Sequence, residues 1–220
     1  MSRTKIKICG IREPEHAQVA ADAGADWIGV VFVEKSPRSV TPVQAHAVVS
    51  TARHASATAV GLFADADAQT VEQNAVAAGL RTVQLHGHEP HAILDELAGM
   101  TVWKALPFGP GLLDKAEPWD EDPRIEALLI DTPPTGTLTG GSGVAFDWEA
   151  LAGVKDKLQK PIILAGGLTP ENVGEAIRTV RPYAVDVSSG VESSRGVKDV
   201  GLITAFCEAV RAADDTIAGL

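Results

Sequence analysis

Eight short segments typical of β-strands recur along the chain, and most are followed by a loop and a segment typical of a helix. They begin about 20 to 35 residues apart, which is the spacing of crossover units that join parallel strands. Several are continuous apolar runs, so we expect strands buried on both faces. The predicted strands cover residues 5–9, 26–32, 58–63, 82–86, 101–106, 125–131, 160–167 and 183–190.

This repetition predicts a single α/β domain over residues 1–220, folded as a (β/α)8 TIM barrel. The alternative is an open doubly wound sheet, which usually has fewer strands, and no G-x-G-x-x-G pattern follows the first strand. A loop rich in Gly, Thr and Pro, residues 132–145, lies inside the sixth unit. It is therefore interpreted as a functional loop, and the sequence leaves open whether it closes over a ligand.

Composition and charge argue against several classes of partner. The net charge of −10, from 19 basic and 29 acidic residues, is unsuited to non-specific nucleic-acid binding. No apolar run approaches the roughly 18 residues that span a membrane, and the residues after Met1 do not resemble a signal peptide. Two distant cysteines form no disulfide framework. We expect a cytoplasmic protein with no nucleic-acid or membrane partner.

In a barrel of this kind the active site forms at the carboxyl ends of the strands. Cys9 and Asp131 are the candidate reacting pair, because a thiolate can accept a proton and a carboxylic acid can donate one. On residue chemistry alone, Cys9 could equally be an inert core thiol and Asp131 a turn or helix-cap residue. A reactive thiol needs a positive environment. Lys7 is not an obvious source, because it should lie deeper in the barrel.

Glycines and small residues follow the last two strands, at Gly166, Gly167, Ser189 and Gly190. Free backbone N–H groups beside a helix start can bind an anion, and many barrels hold phosphate after strands 7 and 8. The alternative is that these glycines only permit tight turns. Two such segments in tandem favour a phosphate site.

Three further polar residues have both a functional and a structural interpretation. Arg38 could clamp a carboxylate or be an exposed loop residue, and His86 could be a ligand, a proton carrier or a satisfied polar group. Lys104 could form a Schiff base, although nothing near it in the sequence argues for one. Asp186 joins them as a strand-end carboxylate. No HExxH or paired Cys/His spacing is present, so no metal is expected.

Taken together, the strand ends resemble the phosphoribosylanthranilate isomerase family of tryptophan biosynthesis. The resemblance extends over about residues 5 to 200 and rests on an ordered set of motifs rather than on one. The motifs are KICGI, FVEKSPRSV, GLFAD, VQLHG, LLIDT, GGSGVAFDW, ILAGGLTPENV and DVSSGVESSRGVKD.

The resemblance implies a cofactor-free and metal-free Amadori rearrangement of N-(5-phosphoribosyl)anthranilate to 1-(2-carboxyphenylamino)-1-deoxyribulose 5-phosphate. It implies that Asp131 is the general acid, that Cys9 is the general base and that Arg38 pairs with the anthranilate carboxylate. The phosphate would lie on the two glycine-containing loops after strands 7 and 8. His86 and Asp186 are expected to contact the substrate. Either a monomer or a homodimer is compatible with the resemblance.

Two positions depart from the family pattern, Val144 where a lysine is common and Arg195 where a proline is common. They concern loop behaviour and affinity rather than the reacting pair. Rival enzymes with phosphosugar substrates fit less well. Indole-glycerol-phosphate synthase uses a lysine and a glutamate, ribulose-phosphate epimerase uses a metal, and a histidine-pathway isomerase would use two aspartates. A catalytically silent phosphosugar-binding protein would not need both Cys9 and Asp131.

Overall fold

The computed structural model describes residues 3–133 and 147–219. Eight parallel strands close a barrel in the order in which they occur in the sequence, so the predicted TIM-barrel fold is confirmed. The strands are β1 (Lys5–Cys9), β2 (Trp27–Val31), β3 (Thr58–Phe63), β4 (Thr82–Leu85), β5 (Thr101–Pro107), β6 (Ile125–Asp131), β7 (Ile162–Leu164) and β8 (Ala184–Val187).

Seven α-helices are present in the described part of the chain. They are α1 (Pro14–Asp22), α2 (Pro42–His54), α3 (Ala68–Ala78), α4 (Leu112–Asp120), α5 (Trp148–Lys155), α6 (Val173–Val180) and α7 (Val200–Ala218). Local sequence sets where several begin. Thr41 and Gln44 form a capping box at α2, and Asp67 and Asp199 cap α3 and α7 through their carboxylates. No helix of residues 3–133 and 147–219 is long and apolar enough to cross a membrane.

The alternation of side chains along each strand produces two apolar layers. One layer lies between the outer faces of the strands and the helices, where Ile6 and Ile8 of β1 are fully buried. The second fills the barrel interior, where Trp103 of β5 packs edge-to-face on Trp27 of β2 at 5.0 Å. This filled interior leaves the carboxyl ends of the strands as the place for a site.

Two elements differ from the sequence-based expectation. The unit after β4 contains a short 3-10 helix, His91–Asp95, in place of an α-helix. A hairpin of β9 (Glu192–Ser194) and β10 (Val197–Lys198) follows β8 and was not predicted. Most of the predicted functional loop, including Val144, lies outside the described residues.

Candidate active site

A cavity of about 90 Å³ opens at the carboxyl ends of the barrel strands. It brings together side chains that are far apart in the sequence, from the first strand to the last. Predicted site residues on its wall are Cys9, Arg38, His86, Asp131 and Asp186. The fold therefore brings these five side chains to one cavity.

Cys9 ends β1 and is only 4% exposed. Its register partner on β2 is Gly29, and a Cβ placed on Gly29 would lie 2.9 Å from the Cys9 Sγ. Real Cβ atoms essentially never make so close a contact. The thiol therefore occupies space that only a glycine on the neighbouring strand leaves free.

Lys7 lies two residues before Cys9, on the same face of β1, and is fully buried. Its Nζ is 3.0 Å from Oδ1 of Asp186, its register partner on β8, and it also interacts with the thiol of Cys9. Lys7, which was not an obvious source of positive charge from its place in the sequence, is therefore a neighbour of the Cys9 thiol. A lysine stem is long enough for its ammonium to reach the layer above its own Cα.

The charges around Cys9 oppose one another. Burial raises the pKa of the Cys9 thiol, the positive charges of Lys7 and Lys198 lower it, and Asp186 raises it again. Burial alone would lower the pKa of Lys7, but Asp186 and Cys9 raise it above its ordinary value. Burial also raises the pKa of Asp186, and Lys7 opposes that shift. The cluster thus keeps a lysine charged beside a thiol that is costly to ionise.

Asp131 ends β6 and is held on both carboxylate oxygens. The backbone N–H of Thr132 donates to Oδ1 at 2.7 Å, and Nε2 of His86 lies 3.2 Å from Oδ2. The side-chain nitrogen of Gln84 lies 2.8 Å from Nδ1 of His86, so with this assignment of the amide the ring proton is on Nε2. In that tautomer, Nε2 of His86 donates to Oδ2 of Asp131.

Gly166, in the loop after β7, packs against the carboxylate of Asp131. A Cβ on Gly166 would come within 2.8 Å of the Asp131 Oδ1 and closer still to Thr132. Gly166 also has a φ of +83°, a conformation that glycine adopts at low cost. The loop after β7 therefore packs directly on the carboxylate, which requires a residue without a side chain.

Arg38 reaches the cavity from the loop after β2. Its Nε and Nη2 donate to the two carboxylate oxygens of Glu192 at 2.7 and 2.9 Å. Its stem passes over Gly10, where an added Cβ would lie 2.6 Å from the Arg38 Cδ. Arg38 is thus a largely buried, ion-paired residue rather than an exposed loop arginine.

The two predicted phosphate loops lie side by side. A Cβ on Gly190 would overlap the carbonyl oxygen of Leu168, so the loops after β7 and β8 are in contact. Asn172 braces the first loop, since it accepts from the N–H of Thr169 and donates to the oxygen of Gly167, both at 2.8 Å. Within the described part of the chain, the N–H groups of Gly166 and Gly167 donate to no protein acceptor.

A second cavity of about 360 Å³ adjoins the first and shares His86 and Asp131 with it. Lys104 lies in its wall with its Nζ 2.5 Å from Oε2 of Glu89 and 2.7 Å from the oxygen of Gly87. Lys104 also lies 5.0 Å from the ring centroid of Trp119. These contacts support a structural and electrostatic role for Lys104. Across residues 3–133 and 147–219, no cluster of His, Cys, Asp and Glu is arranged to hold a metal ion.

Four residues of this site were assigned no role from the sequence. Gly29 and Gln84 sit within strands and support Cys9 and His86 respectively, and Glu192 and Lys198 belong to the unpredicted hairpin. The alternation that places Cys9 in the barrel interior does the same for Gly29 and Gln84, so this signal was available. For the hairpin residues the only signal was a pair of opposite charges six positions apart in a Gly-containing segment.

The geometry can be compared with known proteins. A family model described as N-(5'phosphoribosyl)anthranilate (PRA) isomerase matches residues 6–209. The N-(5'-phosphoribosyl)anthranilate isomerase of Pseudomonas fluorescens is 46% identical over 211 residues, which cover 96% of this chain and 100% of the relative. The chain belongs to the phosphoribosylanthranilate isomerase family.

Solved structures of phosphoribosylanthranilate isomerases agree with this. The enzyme of Thermotoga maritima superimposes with a TM-score of 0.85 at 34% identity, covering 95% of this chain and 99% of that one. A structure in complex with reduced 1-(o-carboxyphenylamino)-1-deoxyribulose 5-phosphate gives a TM-score of 0.82 at 33% identity, with the same coverage. The predicted family, and with it an isomerase of tryptophan biosynthesis, is confirmed.

Proposed function

We propose that this phosphoribosylanthranilate isomerase works by general acid–base catalysis, with Asp131 as the acid and Cys9 as the base. The observation that carries the proposal is that both side chains line one cavity, on strands β1 and β6, with an arginine and two glycine-containing loops beside them. Acid and base can then reach different atoms of one bound sugar.

The chemistry follows from these positions. Asp131 donates a proton to the furanose ring oxygen while the C1–O bond breaks, and the substrate nitrogen supplies the electron pair that forms the iminium. The Cys9 thiolate removes the proton from C2, and the C–H electrons flow to nitrogen to give an enolamine. Protonation at C1 and loss of the hydroxyl proton at C2 give the ketone, and one proton returns from Cys9 to Asp131. No Schiff-base lysine is required.

Two anchors hold the substrate between these groups. Arg38 takes the anthranilate carboxylate, and the N–H groups of the loops containing Gly166, Gly167, Ser189 and Gly190 take the phosphate. His86 and Asp186 line the same cavity, where His86 contacts Asp131 and Asp186 contacts Lys7. Holding both ends of the substrate in this way contributes several kcal/mol to the lowering of the barrier.

Lys7 and Lys198 give a physical reason why a thiolate can form at the buried position of Cys9. Burial makes the charged thiolate costly, and Lys7 and Lys198 offset part of that cost. Since Asp186 holds Lys7 in place at 3.0 Å, the positive charge stays on the inner side of the cavity. A small population of thiolate is sufficient, because a base that is held close to the C2 proton acts at a high effective concentration.

The test is the loss of phosphoribosylanthranilate fluorescence with the substrate generated in situ. We expect turnover by the wild-type protein and a fall of at least about a hundredfold in Cys9→Ala and in Asp131→Asn, with circular dichroism unchanged. Near wild-type activity of Cys9→Ala would remove the thiol from the mechanism. A wild-type protein without turnover would overturn the whole proposal.

Cytoplasmic location and a phosphosugar substrate belong to the same proposal. The negative net charge supports binding of that anionic substrate by local groups rather than by the overall field. We further propose a monomer or a homodimer. Light scattering during size-exclusion chromatography decides between the two.

A further inference from the structure

Glu192 lies at the start of the hairpin β9–β10 and holds Arg38 through two parallel hydrogen bonds of 2.7 and 2.9 Å. Its side chain is 4% exposed, and that of Arg38 is 11% exposed. This bidentate arrangement fixes the plane of the guanidinium as well as its position. The pair joins the loop after β2 to the segment after β8, which are 154 residues apart in the sequence.

Glu192 is itself held from two further directions. The Nζ of Lys198 lies 2.8 Å from its Oε1, and the N–H of Gly196 donates to its Oε2 at 2.9 Å. Lys198 is also fixed, because it donates to the carbonyl oxygen of Ser188 at 2.8 Å. The carboxylate therefore cannot follow Arg38 if the arginine moves, and instead determines where the arginine lies.

The contacts use one edge of the guanidinium. Nε and Nη2 of Arg38 face Glu192, whereas Nη1 donates to no acceptor among residues 3–133 and 147–219. Arg38 lines the same cavity as Cys9 and Asp131. The edge opposite Glu192 is therefore the one that can meet a ligand carboxylate.

We propose that Glu192 is the positioning residue for Arg38, and that it sets how strongly the isomerase selects a substrate bearing a carboxylate on its aromatic ring. This inference rests on the proposed role of Arg38 and adds the residue through which that role is achieved. Glu192 touches no reacting atom. Its effect through Arg38 is confined to the aromatic end of the substrate, whereas any effect through Lys198 on Cys9 is common to every substrate.

The experiment compares two substrates, N-(5-phosphoribosyl)anthranilate and the analogue made from aniline, which lacks the carboxylate. The measured quantity is the ratio of their kcat/KM values. E192Q keeps the size of the side chain but removes the charge and one acceptor, so we expect this ratio to fall about tenfold to a hundredfold, mainly through KM for the natural substrate. Any loss that E192Q causes through Lys198 and Cys9 should be the same for both substrates and should leave the ratio unchanged.

Three variants make the comparison specific. Glu72→Gln alters an exposed glutamate of α3 and should leave both substrates unaffected. Glu192→Asp keeps the charge on a shorter stem and should recover part of the ratio. Arg38→Met removes the clamp and should lower the ratio at least as far as E192Q.

The outcomes separate the inference from the function on which it rests. An equal loss on both substrates in E192Q would show a merely structural role and overturn the proposal. An unchanged ratio in E192Q with a lowered ratio in Arg38→Met would overturn it while keeping the role of Arg38. An unchanged ratio in Arg38→Met would overturn the carboxylate clamp together with this proposal, without touching the assignment of acid and base.

Discussion

The Nε2 of His86 lies 3.2 Å from the Oδ2 of Asp131, and the backbone N–H of Thr132 holds the other carboxylate oxygen. A strand-end histidine whose role was open from the sequence is therefore a partner of the proposed acid. Gln84 fixes the other ring nitrogen at 2.8 Å. The three side chains form a line from the barrel interior to the cavity, in which each orients the next.

The contacts that join Gln84, His86 and Asp131 predict the effect of His86→Asn. We expect kcat to fall about tenfold to a hundredfold, the range for losing one hydrogen bond to a charged group, with little change in KM. Steady-state kinetics on the natural substrate measure both. His46→Asn, at an exposed position of α2, is the matched control. A raised KM at constant kcat would support direct substrate binding by His86 instead.

Gly29 is expected to be essential for the position of Cys9. In Gly29→Ala the new Cβ would lie 2.9 Å from Sγ and 3.0 Å from the Cα of Cys9, so the thiol must shift. We expect a fall in activity of at least about tenfold and a stability loss of about 1–3 kcal/mol, the usual effect of overpacking. The measurements are kcat and urea unfolding.

The control for Gly29→Ala is Gly153→Ala in α5, where an added Cβ meets nothing within 4 Å. That change should keep activity and stabilise the fold by up to about 1 kcal/mol, because alanine favours a helix over glycine. Full activity of Gly29→Ala would show that Cys9 can be displaced without loss, which would contradict its role as a positioned base.

The barrel itself could be predicted from the sequence because its signal is local. The strands β1, β3 and β6 begin and end where their apolar runs predict. Strand-end chemistry was equally accessible, since the carboxyl ends of all eight strands meet at one face of a barrel. Cys9 and Asp131 could therefore be paired although 121 positions separate them.

The ion pairs that support the site could not be predicted, because they depend on register between distant strands. Lys7 and Asp186 are register partners on adjacent strands, and no local pattern gives the register of β1 against β8. The same holds for Glu192, whose hairpin has strands of three and two residues, too short for a periodic signal. A long lysine stem also lets Lys7 act above the layer that alternation assigns to it.

The ionisation of Cys9 predicts an alkaline response. Burial raises the pKa of the thiol, so the proton-accepting form increases with pH and is favoured only above the ordinary value near 8.5. Labelling with iodoacetamide at increasing pH, followed by peptide mass spectrometry, should give a midpoint for Cys9 above about 8.5.

Two comparisons accompany this titration. Lys198→Met removes a positive charge near Cys9 and should move the midpoint further upward, whereas Lys157→Met, at an exposed position, should not. Cys207 is fully buried in α7, and burial raises its pKa to about 11, so it should label only on unfolding. A Cys9 midpoint below the ordinary value would show that Lys7 and Lys198 outweigh burial.

Glu192 should also make the free energy of unfolding depend on pH in the acidic range. Burial opposes its ionisation, but the hydrogen bonds from Arg38 and the charge of Lys198 dominate and lower the pKa of Glu192 to about 2, from 4.5. A carboxyl group with a lowered pKa in the folded state stabilises the fold above its unfolded pKa. That contribution is lost as the pH falls from about 4.5 toward 2.

The expected result is therefore a difference between wild type and E192Q that depends on pH. Near neutrality the free energy of unfolding of E192Q should be lower, because Arg38 and Lys198 lose a buried anionic partner. The two proteins should converge below about pH 4, since the wild-type carboxylate is then increasingly protonated. Urea unfolding at several pH values measures this, and a constant difference down to about pH 3 would contradict the lowered pKa of Glu192.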